Sequence, residues 1–240
     1  MLKPLTIDGV CAEIEKANKE KYHRGKSWEF CYSFFRGYKT FRDNDGLLDQ
    51  AALHLGFYLA SWGMFRGSSF LLQADYKYFR PIIDVLIKDD YDALWKSDVW
   101  TEGQAKEQQE KNLALVFKLE TALRDVMDKE KGSIYREANN KRPWNITETL
   151  VTKIIMGTMG CVPAYDQYFK KGIKLFSDGK NLELGGFHPE SFKNLLNLSV
   201  RDDTLSDIYK FPPAIGKTSF IYPPLKLLDL YFWLRGFYNQ

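Results

Sequence analysis

Histidine is scarce in this 240-residue chain, with only His23, His54 and His188. The three share no metal-ligand spacing, which argues against a His-rich metal centre, and no metal or other cofactor is expected. Cysteine is equally sparse. Cys11, Cys31 and Cys161 are far apart, odd in number and without a C-x-x-C pair. They read as reduced thiols of a cytoplasmic protein, not as a disulfide framework. Apolar runs are short and broken by charge, so no membrane span is expected, and "MLKPLTIDGVCAEIEK" has no secretory apolar core. G-x-S-x-G is absent, and so is R-x-x-x-x-H, which weakens a small helical ribonuclease. "FPPAIGKTS" imitates a phosphate-binding loop, but the position that needs the first Gly is Phe211, and the segment after it is broken by Pro. No stretch alternates with period two between hairpin turns. No internal repeat and no low-complexity segment is present.

What the chain has in abundance is aromatic residues, 15% of the total. Seventeen Phe, fourteen Tyr and six Trp predict a well-filled interior with rings to spare for a groove. The formal charge of +3 permits nucleic-acid binding without demanding it. Apolar residues recur at helical spacing throughout. "KSWEFCYSFFRGYK" aligns Trp28, Cys31, Phe35 and Tyr38. "LLDQAALHLGFYLASWGM" aligns Leu48, Ala52, Leu55, Leu59 and Trp62. Residues 105–129 form a long amphipathic pattern with Leu113, Phe117, Leu119 and Leu123. "ITETLVTKIIMGTMG" turns Leu150, Ile154 and Ile155 inward, and "PPLKLLDLYFWLRGFY" is a strongly apolar last helix. The expected fold is all-α. Breaks at 40–46, 97–104, 130–145, 177–188 and 211–223 are too short to be flexible linkers, so residues 1–240 read as one compact unit.

"TKIIMGTMGCVPAYDQYFKKG", residues 152–172, holds the most specific signal. Asn145 is placed to cap a helix, with Glu148 completing a capping box. The helix runs on small and apolar residues to Gly160, crosses Pro163, and meets a single acid, Asp166, at the start of the next helix. This layout resembles the helix-hairpin-helix DNA glycosylases, the superfamily of endonuclease III and the adenine glycosylase. There a catalytic Asp opens the helix that follows such a Gly and Pro. The resemblance covers some thirty residues. The family's Gly-hydrophobic-Gly hairpin is replaced by "NKRPWNITET", and the position of the bifunctional members' lysine falls at Glu148 or Thr149.

The resemblance implies a two-lobed helical fold with a cleft, the lobes being 1–45 plus 177–240, and 46–176. It also implies a monofunctional DNA N-glycosylase that releases a modified or damaged base, in repair or in defence against modified phage DNA. Asp166 would stabilise the oxocarbenium-like sugar, and the base would be flipped into an aromatic pocket. Asp is also a favoured helix cap, and capping alone would account for it. Trp62 and Arg66, spaced as one helical turn with Gly63 and Gly67 between and beyond, offer a stacking ring and a guanidinium. Equally, they fit a tight helix junction with Arg66 paired to a buried carboxylate. Tyr165 beside the acid is a further substrate contact. Lys141, Arg142 and Trp144 precede a helix start and suit a DNA phosphate, or else a solvated loop. Lys226 and Asp229 read as a salt bridge or cap, and Lys170, Lys171 and Lys174 as a solvated basic face. A non-catalytic all-α nucleic-acid- or partner-binding protein is the main alternative. A small-molecule enzyme built on Asp166 and Arg66 is a third.

Overall fold

The computed structural model describes residues 7–67, 69–97, 99–100, 105–137, 145–177, 183–201 and 222–238. Among these residues the fold is all-α, with no strand. The α-helices are α1 (Ile7–Lys19), α2 (Lys26–Phe35), α3 (Asp45–Ser61), α4 (Arg80–Leu86), α5 (Lys106–Glu137), α6 (Glu148–Thr158), α7 (Gln167–Ser177), α8 (Pro189–Arg201) and α9 (Pro224–Tyr238). Short 3-10 turns at 38–40, 70–73, 76–79 and 89–95 fill the connections around α3 and α4. None of the described helices is long and apolar enough to cross a membrane.

The apolar periodicity carries over into burial. Leu48, Ala52, Leu55 and Leu59 of α3 are buried, as are Trp28, Cys31 and Phe35 of α2. Both patterns overrun their helices. Tyr38 sits in a 3-10 turn and stacks on Trp95 with ring centroids 4.1 Å apart. Trp62 is the residue after α3, because Gly63 follows with φ +76° and ends the helix. Gly67 has φ +60°, so the segment from Trp62 to Gly67 is a turn and not the helical junction its spacing suggests. A side chain at Gly67 would meet open space, so this glycine serves the turn and no close packing.

Helix α6 is the central rod. Every residue from Leu150 to Thr158 is buried, and the helix packs on α2, α3 and α5. Such all-round burial marks a core helix. Trp28 Nε1 donates to the carbonyl of Met156 at 2.9 Å. The N-cap of α6 is Thr147, whose side chain accepts the Leu150 N–H, so the expected Asn145 cap is corrected by two residues. Glu148 does not close a capping box. It accepts the Phe187 N–H and pairs with Lys170. Gly160, at φ +71°, ends the helix in the left-handed conformation that favours glycine.

The most extensive helix contact is between α7 and α9, and it crosses the lobe boundary drawn at residue 177. Two glycines permit it. A Cβ at Gly172 would strike the Phe232 carbonyl, and one at Gly236 the Tyr168 carbonyl. Helix α1 also packs on α9. The buried side chains form one cluster reaching from Val10 to Leu234.

Candidate functional site around Asp166

The turn between α6 and α7 is fixed at several backbone groups. Trp100 Nε1 donates to the Cys161 carbonyl at 2.7 Å. The Ala164 N–H donates to Asp229 Oδ1 at 2.9 Å. The Tyr165 N–H donates to Thr152 Oγ1 at 3.0 Å, and the Tyr165 carbonyl accepts from Thr149 Oγ1 at 2.9 Å. Pinning Tyr165 on both sides turns its ring inward, where it packs between Phe169 and Phe187. Tyr165 is fully buried and does not line the cleft that Asp166 lines, so the expected substrate contact is not seen there.

Asp166 is the N-cap of α7. Its Oδ1 accepts the N–H groups of Tyr168 and Phe169, each at 3.1 Å. Its Oδ2 accepts from Lys153 Nζ at 3.0 Å. Lys153 is 3% exposed and Asp166 13%. A lysine thus accompanies the acid. The lysine comes from the middle of α6, 13 residues before Asp166, and not from the position of Glu148 or Thr149. Its signal in the sequence is a lone cation inside "TLVTKIIMG", a run otherwise free of charge.

The pair stands on the wall of a cleft of about 490 Å³. Trp62, Arg66, Thr147, Thr149, Tyr168 and Trp233 also line it, with Arg24 reaching in from the α1–α2 connection. Three cationic side chains, Arg24, Arg66 and Lys153, thus line the cleft with one carboxylate, and of these Lys153 bonds it directly. The starts of α6 and α7 both open here, adding their positive dipole ends. Arg66 is exposed and makes no ion pair among the described residues, contrary to the buried-carboxylate alternative. Thr147, the cap that follows the 138–144 segment, lies on the cleft. Lys141, Arg142 and Trp144 themselves lie outside the described residues, as does "FPPAIGKTS".

Trp62 serves as a platform for cations more than as a bare stacking face. Arg24 lies 4.9 Å, Lys153 5.2 Å and Lys226 5.6 Å from its ring, and Trp233 meets it edge-on. Its indole N–H is buried and has no acceptor among the described residues. Lys226 pairs with Asp229 at 2.8 Å, as expected of them. Lys170 is tied to Glu148, so the basic face of α7 is only partly solvated. Thiol chemistry is disfavoured at the two described cysteines, Cys31 and Cys161. Burial pushes the Cys161 thiol up to about 12, and raises that of Cys31 further. Tyr58, wholly buried, has its hydroxyl pKa raised first by burial and then by Asp229, Cys31 and Asp166. Compared with protein-family models, curated proteins and solved structures, the chain matches none.

Proposed function

We propose that the Asp166 cleft receives a DNA strand and that the protein is an N-glycosylase, with Asp166 stabilising positive charge on the deoxyribose. The observation that carries this is a carboxylate held rigidly at a cleft wall among three cations and two helix starts. The cations suit the phosphates on either side of the sugar, and the carboxylate suits the sugar itself. The cap bonds hold the carboxylate in place, so little reorganisation is needed as charge develops. Lys153, bonded to Oδ2, is the cation in direct contact with the acid.

The second proposal is a non-catalytic nucleic-acid-binding protein. It is favoured by one fact: both oxygens of Asp166 are already engaged, by two amides and by Lys153. One experiment separates the two. Wild type and Asp166→Asn are incubated with DNA carrying a panel of modified bases, then treated with alkali to reveal abasic sites. A glycosylase gives alkali-sensitive breaks with wild type only. Wild type that binds the DNA and releases no base from any substrate leaves the binding protein. In the same material, Arg24→Ala and Arg66→Ala should each lower the salt slope of binding by roughly one unit. An unchanged slope in both removes DNA from the cleft.

A further inference from the structure

A second cavity of about 290 Å³ shares Arg24, Trp62, Trp233 and Phe237 with the Asp166 cleft, but contains neither Asp166 nor Lys153. It is bounded by α1, the start of α2 and the inner face of α9. Two charged side chains that are nine-tenths buried line it, Glu29 at 6% exposure and Lys226 at 5%. Lys226 is committed to Asp229. Glu29 is only half used. Its Oε1 accepts the Tyr222 hydroxyl, and among the described residues nothing donates to Oε2. Burial, followed by the hydrogen bond to Glu29 and that residue's charge, raises the Tyr222 pKa and keeps the hydroxyl a donor.

Glu29 lines the cavity with Oε2 unbonded among the described residues but not sealed from solvent, so a bound donor would take the place of water on a carboxylate that is otherwise buried. The rest of the cavity limits what the donor belongs to. Trp28, Trp62, Trp233, Leu230 and Leu234 make most of the wall apolar. The volume lies at the lower end for small-molecule sites, which start at about 300 Å³, so it suits a single ring system. The lining charges nearly balance, with Glu13, Glu20 and Glu29 against Lys16, Arg24, Lys26 and an already paired Lys226, so a neutral ligand is favoured, and Glu29 repels a carbonyl edge. We propose that this cavity binds a neutral, amine-bearing heterocycle of aminopurine or aminopyrimidine size, whose exocyclic amine donates to Glu29 Oε2. The site stands independently of any chemistry at Asp166.

The test uses the whole protein and two probes that differ by one amine, 9-methyladenine and 9-methylpurine. Binding is followed by calorimetry and by tryptophan fluorescence, since three Trp line the cavity. Wild type should prefer 9-methyladenine by roughly tenfold or more, the penalty for leaving a buried acceptor unpaired. The double variant Glu29→Leu, Tyr222→Phe removes both hydrogen-bonding partners together, which disturbs folding less than stranding one. It should bind both probes alike. Tyr222→Phe alone keeps the carboxylate and should keep the preference, so the test stands even where the double variant fails to fold. Asp166→Asn should bind as wild type does, which separates this site from the glycosylase proposal. Equal binding of the probes by wild type, binding of neither, a preference that survives in the folded double variant, or one lost in Tyr222→Phe overturns the proposal.

Discussion

Lys153 with Asp166 and Lys226 with Asp229 are the same chemical pair, at 3.0 and 2.8 Å, and both lysines lie over the Trp62 ring. Each aspartate also accepts backbone N–H groups, two for Asp166 and that of Ala164 for Asp229. They differ in access. Asp166 lines the larger cleft, whereas Asp229 lines neither cavity. Asp229 steadies from behind the turn that Asp166 terminates. A buried, ion-paired carboxylate is therefore no mark of a site by itself. What separates the two is a wall open to a ligand and the cations gathered across it.

The largest expected effect breaks this comparison at the acids. Asp166→Asn keeps the cap, since Asn caps about as well as Asp, and removes the charge. Under the glycosylase proposal, base release should fall by roughly two to four orders of magnitude with little change in unfolding free energy. Asp229→Asn should do the reverse. It leaves Lys226 buried without its counter-charge and should cost about 3–5 kcal/mol, while activity per folded molecule is largely kept. Activity assays at matched folded fraction, with urea denaturation alongside, read both. Equal activity losses would erase the distinction.

The lysines sharpen it next. Lys226→Met strands Asp229 away from solvent and should destabilise by about 3–5 kcal/mol. Lys153→Met should cost less, because Asp166 keeps two amides and some access to water. A larger loss at Lys153 in denaturation curves would show that its pair is the structural one. Thr152→Val is milder again. It leaves the Tyr165 N–H without its acceptor and should cost about 1–3 kcal/mol, loosening the turn that carries Asp166. Slower base release together with that loss would tie the turn's rigidity to the acid's work, and an unchanged rate would not.

The smallest effect belongs to neither pair and serves as their control. His54, stacked on Phe34 at 4.3 Å, has its pKa lowered by burial from the ordinary 6.5. Above that value both folded and unfolded chains hold it neutral, so it adds no pH dependence. As pH falls below 6.5, the unfolded chain takes up the proton first, and stability should drop until the folded-state value is passed. Thermal melts from pH 7.5 to 5 on wild type and His54→Gln should show a steeper decline for wild type. Parallel declines would remove His54 as the cause.

Short-range physics made much of this legible in advance. Helices over α2, α3, α5, α6 and α9 follow from the spacing of apolar residues, and the end of α6 from a glycine at its C-terminus. Asp166 as a cap and the Lys226–Asp229 pair both depend on residues within one turn of helix, so sequence spacing reaches them. The cap of α6 was misplaced because Asn145 and Thr147 are both good caps. Only the backbone decides between them, and Thr147 has the extended conformation with its side chain on the Leu150 N–H.

The sequence by itself thus determined the all-α class, the main helices and the local seat of Asp166, because propensity, periodicity and capping act over a few residues. Tertiary structure alone decided what surrounds that seat. It brought Lys153 to Asp166 across the α6–α7 turn, turned Tyr165 into the core, set three cations over Trp62, and joined Glu29 to Tyr222 across 193 residues. Each of those contacts depends on how a helix is rotated and how closely it crosses its neighbour. Rotation and crossing are fixed by the whole packed core, down to the two glycines that let α7 and α9 touch.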